Sequence, residues 1–287
     1  MGDLPTISVI IPTRNSAHIL PVCLSGIKSQ QYPRKNIEVI ISDNESSDQT
    51  LAVARKYGAK IVSVKGEPPL VCQQRNLGAK TAKGEYLLFL DHDMELSKGL
   101  MMDFAQKITT EKDVDAWFIP EKIITGSKLL TKIRNFERNF YNQTPIDAVR
   151  IIKRTTFFNT ETQYDPLLSG GPADWDLDIQ LKEIGCRFGS LTKPLFHHEE
   201  RLGGFLKYIS KKGDWSGGIS LYKKKWQKKY RGKYHNVIDK QLGLKYRIFI
   251  VFFEKDKWKK IIVNLHLYIM VLCIKLAMLC QSVTKKK

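Results

Sequence analysis

Two aspartates one residue apart, Asp91 and Asp93, close the apolar run YLLFLDHD that begins at Tyr86. On an extended chain, residues two apart face the same way, so this run projects both carboxylates together from a strand end. Like charges held that close repel unless a cation lies between them. Oxygen-only ligands suit a hard divalent ion such as Mg²⁺ or Mn²⁺, which commonly shares its shell with a substrate's phosphates. A third carboxylate, Asp174, follows the turn Gly170-Gly171-Pro172 and opens a helical pattern in ADWDLDIQLKEIG. An acid there complements the helix dipole.

The elements that must position these groups alternate. Apolar strand candidates lie at Ile7–Thr13, Ile37–Asn44, Lys60–Val64, Tyr86–Asp93 and Ala116–Ile124, with helical patterns at Ala17–Gln30, Asp48–Tyr57, Leu70–Ala82 and Ser97–Thr110. Near-continuous apolar strands joined by crossover helices predict a mostly parallel sheet covered on both faces. Ligands of such sheets gather at the carboxyl ends of the strands. Three of those ends are polar here: Thr13-Arg14-Asn15, the stretch from Asp43 to Asp48, and Asp91-His92-Asp93. Their convergence predicts a nucleotide site. Further along come a helix at Leu129–Tyr141, a strand at Ala148–Arg154, and a strand-like KPLF followed by His197 and His198.

The net charge of +18 over 287 residues is unevenly placed. Residues 1–206 carry a balance of only +1, whereas residues 207–287 carry +17, with four acids among them. That asymmetry asks for an anionic partner. The C-terminal part holds the apolar stretches Tyr246–Phe253 and Ile261–Val283 among lysines and tryptophans. The second is long enough to span a bilayer, but Lys275 would sit near its middle, which costs about 2.5–3.5 kcal/mol on an insertion scale. Helices lying in the interface of an anionic membrane fit better, with a soluble core helix as the other reading. Nucleic-acid binding would use the same lysines and aromatics but leaves the three polar strand ends unexplained, so no nucleic acid is expected. Five cysteines, scattered and never in a CxxC pair, argue for a reducing compartment. The first apolar run reads as a strand rather than a secretory leader. The expected location is cytoplasmic, peripheral on the inner face of the cell membrane.

Taken together, ISVIIPTRN, ISDNESSDQT, QQRNLGAKTAKGEYLLFLDHD and ADWDLDIQLKEIG resemble, in order and spacing, the family 2 glycosyltransferases of GT-A fold. The resemblance covers about Thr6 to His198. It implies an α/β, Rossmann-like GT-A domain over residues 1–206, with a nucleotide-binding half (1–125) and an acceptor half (126–206). Residues 207–287 form a basic, amphipathic helical tail. It also implies inverting, metal-dependent transfer of a sugar from a UDP- or GDP-sugar to a glycan or lipid-linked acceptor. A close variant would be a polyprenyl-phosphate sugar synthase.

Carried over by position, Pro12, Thr13 and Asn15 line the nucleotide loop, and Asp43 accepts a hydrogen bond from the base, with Ser46 nearby. Arg75 lies near the base and Asp91; Asp91 holds the ribose, beside His92. Asp93 binds the metal, with Asp91 and either His197 or His198 as further contacts. Asp174 is the catalytic base, with Trp175 as an acceptor platform and Asp176 as the second choice of base. Gln180 stands where many members carry an arginine. Apart from the resemblance, Arg201 with Gly203-Gly204 suggests a mobile loop able to close over the donor, and Trp215 in GDWSGG is a ring for stacking on a sugar or for packing.

Overall fold

The computed structural model describes residues 4–67, 70–199, 216–229 and 233–284, so Arg201, Gly203, Gly204 and Trp215 lie outside the described residues. The first half runs β1 (Ile7–Thr13), α1 (Leu20–Lys28), β2 (Ile37–Asp43), α2 (Thr50–Lys56), β3 (Lys60–Ser63), α3 (Val71–Thr81) and β4 (Tyr86–Phe89). It continues with β5 (Met94–Leu96), α4 (Leu100–Thr110), β6 (Ala116–Phe118), β7 (Glu121–Ile124), α5 (Lys128–Tyr141) and β8 (Val149–Lys153). Then come α6 (Arg154–Phe158), α7 (Gly171–Glu183), β9 (Phe188–Ser190) and β10 (Leu195–His198). The last helices are α8 (Ser216–Lys229), α9 (His235–Leu242), a π turn at Tyr246–Ile250, α10 (Trp258–Val263) and α11 (Leu265–Thr284).

Packing divides the chain into two units: Met1–Pro120 with Ala148–His197, and Glu121–Asp147 with His198–Lys287. In the first unit a seven-stranded sheet runs in the order β3-β2-β1-β4-β8-β6-β9. β1 pairs in parallel with both β2 and β4, and all seven of its residues are buried, as a strand covered on both faces requires. β8 enters antiparallel between β4 and β6, so the sheet is mixed. Helix α3 lies so close to β1 that a Cβ on Gly78 would stand 2.4 Å from Ile10 Cγ2. Only glycine allows that approach, which brings Gln74 and Arg75 up to the strand ends.

Two expected strands are shorter than their apolar runs. The run from Ala116 breaks at Ile119-Pro120 into β6 and β7, because proline has no N–H to give the ladder. The run from Tyr86 stops pairing at Phe89, and His92-Asp93 form a turn into β5. Asp91 and Asp93 therefore do not share a strand face.

In the second unit, residues from the middle of the chain pack with those of its C-terminal part. α5 belongs with the C-terminal helices. Phe140 packs on Phe252 with ring centroids 4.6 Å apart, and Lys275 pairs with Glu137 at 2.7 Å and donates to Tyr141 Oη at 2.8 Å. The lysine that counted against a bilayer span thus has buried partners on α5. Among the described residues, no helix is long and apolar enough to cross a membrane.

Candidate active site

The loops after β1 and β2 are stitched together by their own polar side chains. Asp43, 1 % exposed, accepts from Thr13 Oγ1 at 2.8 Å, Ser46 Oγ at 2.6 Å and Ser46 N at 2.8 Å. A carboxylate has about four lone-pair sites, so with three of them filled Asp43 chiefly shapes the loop. Asn15 adopts a left-handed conformation, φ 49°, which asparagine tolerates better than most residues. Its N–H donates to Ser46 Oγ and its Oδ1 accepts from Ser47 N, an arrangement that ties the two loops together, while Pro12 is buried within β1. Gln74 of α3 donates to the carbonyls of both Thr13 and Ser42. Thr13→Val removes a hydrogen bond to a buried carboxylate and is expected to cost about 1.5–3 kcal/mol. Urea denaturation with an unchanged m-value would register the loss.

Arg75 is the hub of the site. Its Nη2 donates to Asp91 Oδ1 at 2.7 Å and its Nη1 to Asp174 Oδ1 at 2.8 Å. The guanidinium lies 4.8 Å from the centroid of the Tyr164 ring, in cation–π contact. Arg150 of β8 approaches the other Asp91 oxygen at 3.3 Å. Burial raises the Asp91 pKa, but Arg75 and Arg150 outweigh it and hold the carboxyl well below the usual carboxylate range. For Arg75, burial disfavours the cation, yet Asp174 and Asp91 together keep its pKa well above normal. The charge on Asp91 is thus balanced by two arginines. They do for Asp91 what a cation shared with Asp93 was expected to do.

Asp93 has a different neighbour. β10 pairs antiparallel with β5, with His197 opposite Met94, and this puts His197 Nε2 3.6 Å from Asp93 Oδ2. Burial raises the Asp93 pKa, and the neighbouring His197 imidazole brings it below the ordinary value. His197 is therefore the histidine at Asp93. His198, next in the strand where successive side chains alternate, falls in the second unit. His92 is half-buried in the turn between the two aspartates. Among the described residues, no group of three or more His, Cys, Asp or Glu is arranged to hold a metal. Asp93 and His197 are two groups that could hold an ion completing its shell with other oxygens.

Asp174 sits in the first turn of α7. Gly170 precedes the helix at φ 59°, ψ −146°, a region essentially restricted to glycine, and turns the chain so that Asp174 meets Arg75. Asp174 Oδ1 is held by Arg75, and Oδ2 has no hydrogen bond among the described residues. Its two neighbours in the motif correct the expectation for them. Trp175 is 3 % exposed and Asp176 is fully buried, so neither presents a face to an acceptor. Asp176 instead accepts from Gln180 Nε2 at 2.7 Å. Gln180 also bonds Thr162 and the Gln163 carbonyl, which pins the segment carrying Tyr164 and excludes a phosphate role for Gln180.

Sequence reasoning missed Arg150, Tyr164 and Gln74. An arginine inside the apolar strand VRIIK was the available signal for Arg150, because a buried cation requires a partner.

The model of "Glycosyl transferase family 2" matches residues 8–164. The poly(ribitol-phosphate) beta-N-acetylglucosaminyltransferase TarS of Staphylococcus aureus is 32% identical over 123 residues, which are 42% of this chain and 21% of TarS. A GalNAc(5)-diNAcBac-PP-undecaprenol beta-1,3-glucosyltransferase of Campylobacter jejuni is 33% identical over 109 residues, 36% of this chain and 35% of that enzyme. The chain thus matches only a minor part of these relatives' length. Among solved structures, TarS 1–349 in complex with UDP-GlcNAc superposes with a TM-score of 0.62 at 20% identity, covering 89% of this chain and 75% of that one. The mannosyltransferase PcManGT of Pyrobaculum calidifontis, in complex with GDP-Man and Mn²⁺, gives 0.60 at 15% identity, covering 100% and 89%. These structural likenesses establish the fold, a GT-A architecture. With the family model matching more than half of its residues, the chain belongs to glycosyl transferase family 2.

Proposed function

We propose that this protein transfers a sugar, with inversion, from a nucleotide-diphosphate sugar to a hydroxyl of a glycan or lipid-linked acceptor. The observation that carries the reading is the Asp174 carboxylate, held through one oxygen by Arg75 and open at the other, beside the polar strand ends. The stitched loops at Thr13–Asn15 and Asp43–Ser46 bind the nucleoside. Asp174 Oδ2 accepts the proton of the acceptor hydroxyl as its oxygen attacks the anomeric carbon. The bond from that carbon to the diphosphate oxygen breaks on the opposite face, and the nucleoside diphosphate leaves with the bonding electrons. Arg75 keeps the base oriented and Asp91 placed for the ribose.

Asp93 and His197 would hold a divalent ion. Such an ion, when bound, supplies positive charge to the leaving diphosphate. The relatives support this substrate class: one is named for poly(ribitol-phosphate), and another for an undecaprenol-linked glycan. The strongly basic C-terminal part supports a location on the cytoplasmic face of a membrane, where a lipid-linked acceptor would be presented.

A thermal-shift panel of UDP- and GDP-sugars, each with Mn²⁺ or with EDTA, tests this. A donor at a hundred times its Kd is expected to stabilise the fold by about 2.7 kcal/mol. EDTA or Asp93→Ala is expected to remove most of that gain. A chain indifferent to every sugar nucleotide defeats the transferase reading; stabilisation equal in EDTA defeats only the metal.

A further inference from the structure

We propose that an exposed apolar stripe along α11, with the lysines of α10 beside it, is the surface by which this chain docks on an anionic lipid bilayer. The proposal deepens the membrane reading above and rests on it. Helix α11 has two apolar faces. One is used within its own unit: Tyr268, Val271 and Ile274 are buried, and Lys275 on that side turns to Glu137. The other carries Leu265, Ile269, Cys273 and Leu276 at spacings of four, four and three, the repeat of a single helix face. Leu265, Ile269 and Leu276 are 55 %, 50 % and 59 % exposed, and Cys273 is exposed too. The stripe extends for roughly 17 Å at 1.5 Å per residue.

Charge identifies the occupant. From Lys257 to the C-terminus the chain holds no Asp or Glu. Just ahead of the stripe, Trp258, Lys259 and Lys260 are exposed on α10. An apolar stripe flanked by tryptophan and lysine suits the boundary between acyl chains and anionic headgroups. Pairing with a second copy through this face would instead bring two acid-free, basic segments together.

The test is co-sedimentation of the full chain with neutral phosphatidylcholine vesicles and with vesicles containing phosphatidylglycerol. Retention on the anionic vesicles is expected, weakening as salt rises. Ile269→Glu and Leu276→Glu are each expected to lower the partition coefficient about tenfold or more, by placing a charge in the apolar face. Lys259→Glu with Lys260→Glu is expected to lower it on anionic vesicles only, by at least about fivefold per lysine. Circular dichroism and the donor thermal shift, read on the same variants, should match the parent. Failure of the parent to bind anionic vesicles overturns the docking surface. So does a concentration-dependent dimer, lost in Ile269→Glu, in a chain that ignores vesicles. Loss of donor stabilisation in the parent strikes the transferase reading instead, so the two failures are distinguishable.

Discussion

Asp174→Asn is expected to lower kcat by about 10²–10⁴-fold, the range that a positioned general base contributes, while leaving sugar-nucleotide affinity near the parent value. Asparagine keeps the shape of the side chain, and its Oδ1 can still accept from Arg75 Nη1, so the site should stay assembled. What it lacks is a second oxygen able to take a proton. The matching control is Asp176→Asn. Asp176 is fully buried and bonded to Gln180, so its replacement should lower the thermal midpoint while sparing kcat of the folded enzyme. Steady-state kinetics on the two variants, with donor binding measured separately, distinguishes the roles. Full turnover in Asp174→Asn, or a chemical defect confined to Asp176→Asn, would move the base to the wrong side of α7 and break the mechanism.

That contrast also shows what the sequence could and could not reveal. The motif ADWDLD announces an acidic helix start but not which acid faces solvent. Helix α7 is buried on nearly every side, from Pro172 through Leu181 except Asp174. A helix covered all round has no apolar stripe to orient it. Trp175 looked like a stacking platform for the same reason: burial there is set by neighbours that local periodicity does not encode. β1 and β2 were legible to within a residue, because continuous apolar runs bounded by polar turns have few other solutions. Past Leu90 the rule failed: Leu90 N makes the last bond to β1, at Ile10 O, and the chain then turns at His92-Asp93 instead of running extended to Asp93. The partners of Asp91 were hidden for a different reason. Arg150 reaches it through the antiparallel insertion of β8 beside β4, and pairing between strands distant in sequence leaves no mark in either. In the second unit, Lys275 read as a fault in an apolar run until Glu137 of α5 supplied its partner.

Arg75→Ala is expected to destabilise the fold by about 3–5 kcal/mol, because removing one member of a buried ion pair strands the others. Arg75 is 6 % exposed in its side chain, against 28 % for Asp91 and 17 % for Asp174, so solvent screens little of the loss. The sign of the pH dependence follows from Asp91, whose folded-state pKa is lowered by the arginines against the effect of burial. Such a group contributes its stability fully above its unfolded value, about 4, and loses it as pH falls toward the depressed folded value. Without Arg75 that depression shrinks. The gap between parent and variant should therefore be widest above about pH 5 and narrow in acid. Arg75→Lys keeps a cation but not a planar fork able to donate from separate nitrogens to two carboxylates. It should recover part of the stability and little of kcat, because Asp174 would lose its fixed orientation. Urea melts across pH, with kinetics on both variants, measure each effect. A parent–variant gap under about 0.5 kcal/mol, typical of exposed pairs, would mean that the bridge does not hold the base in place.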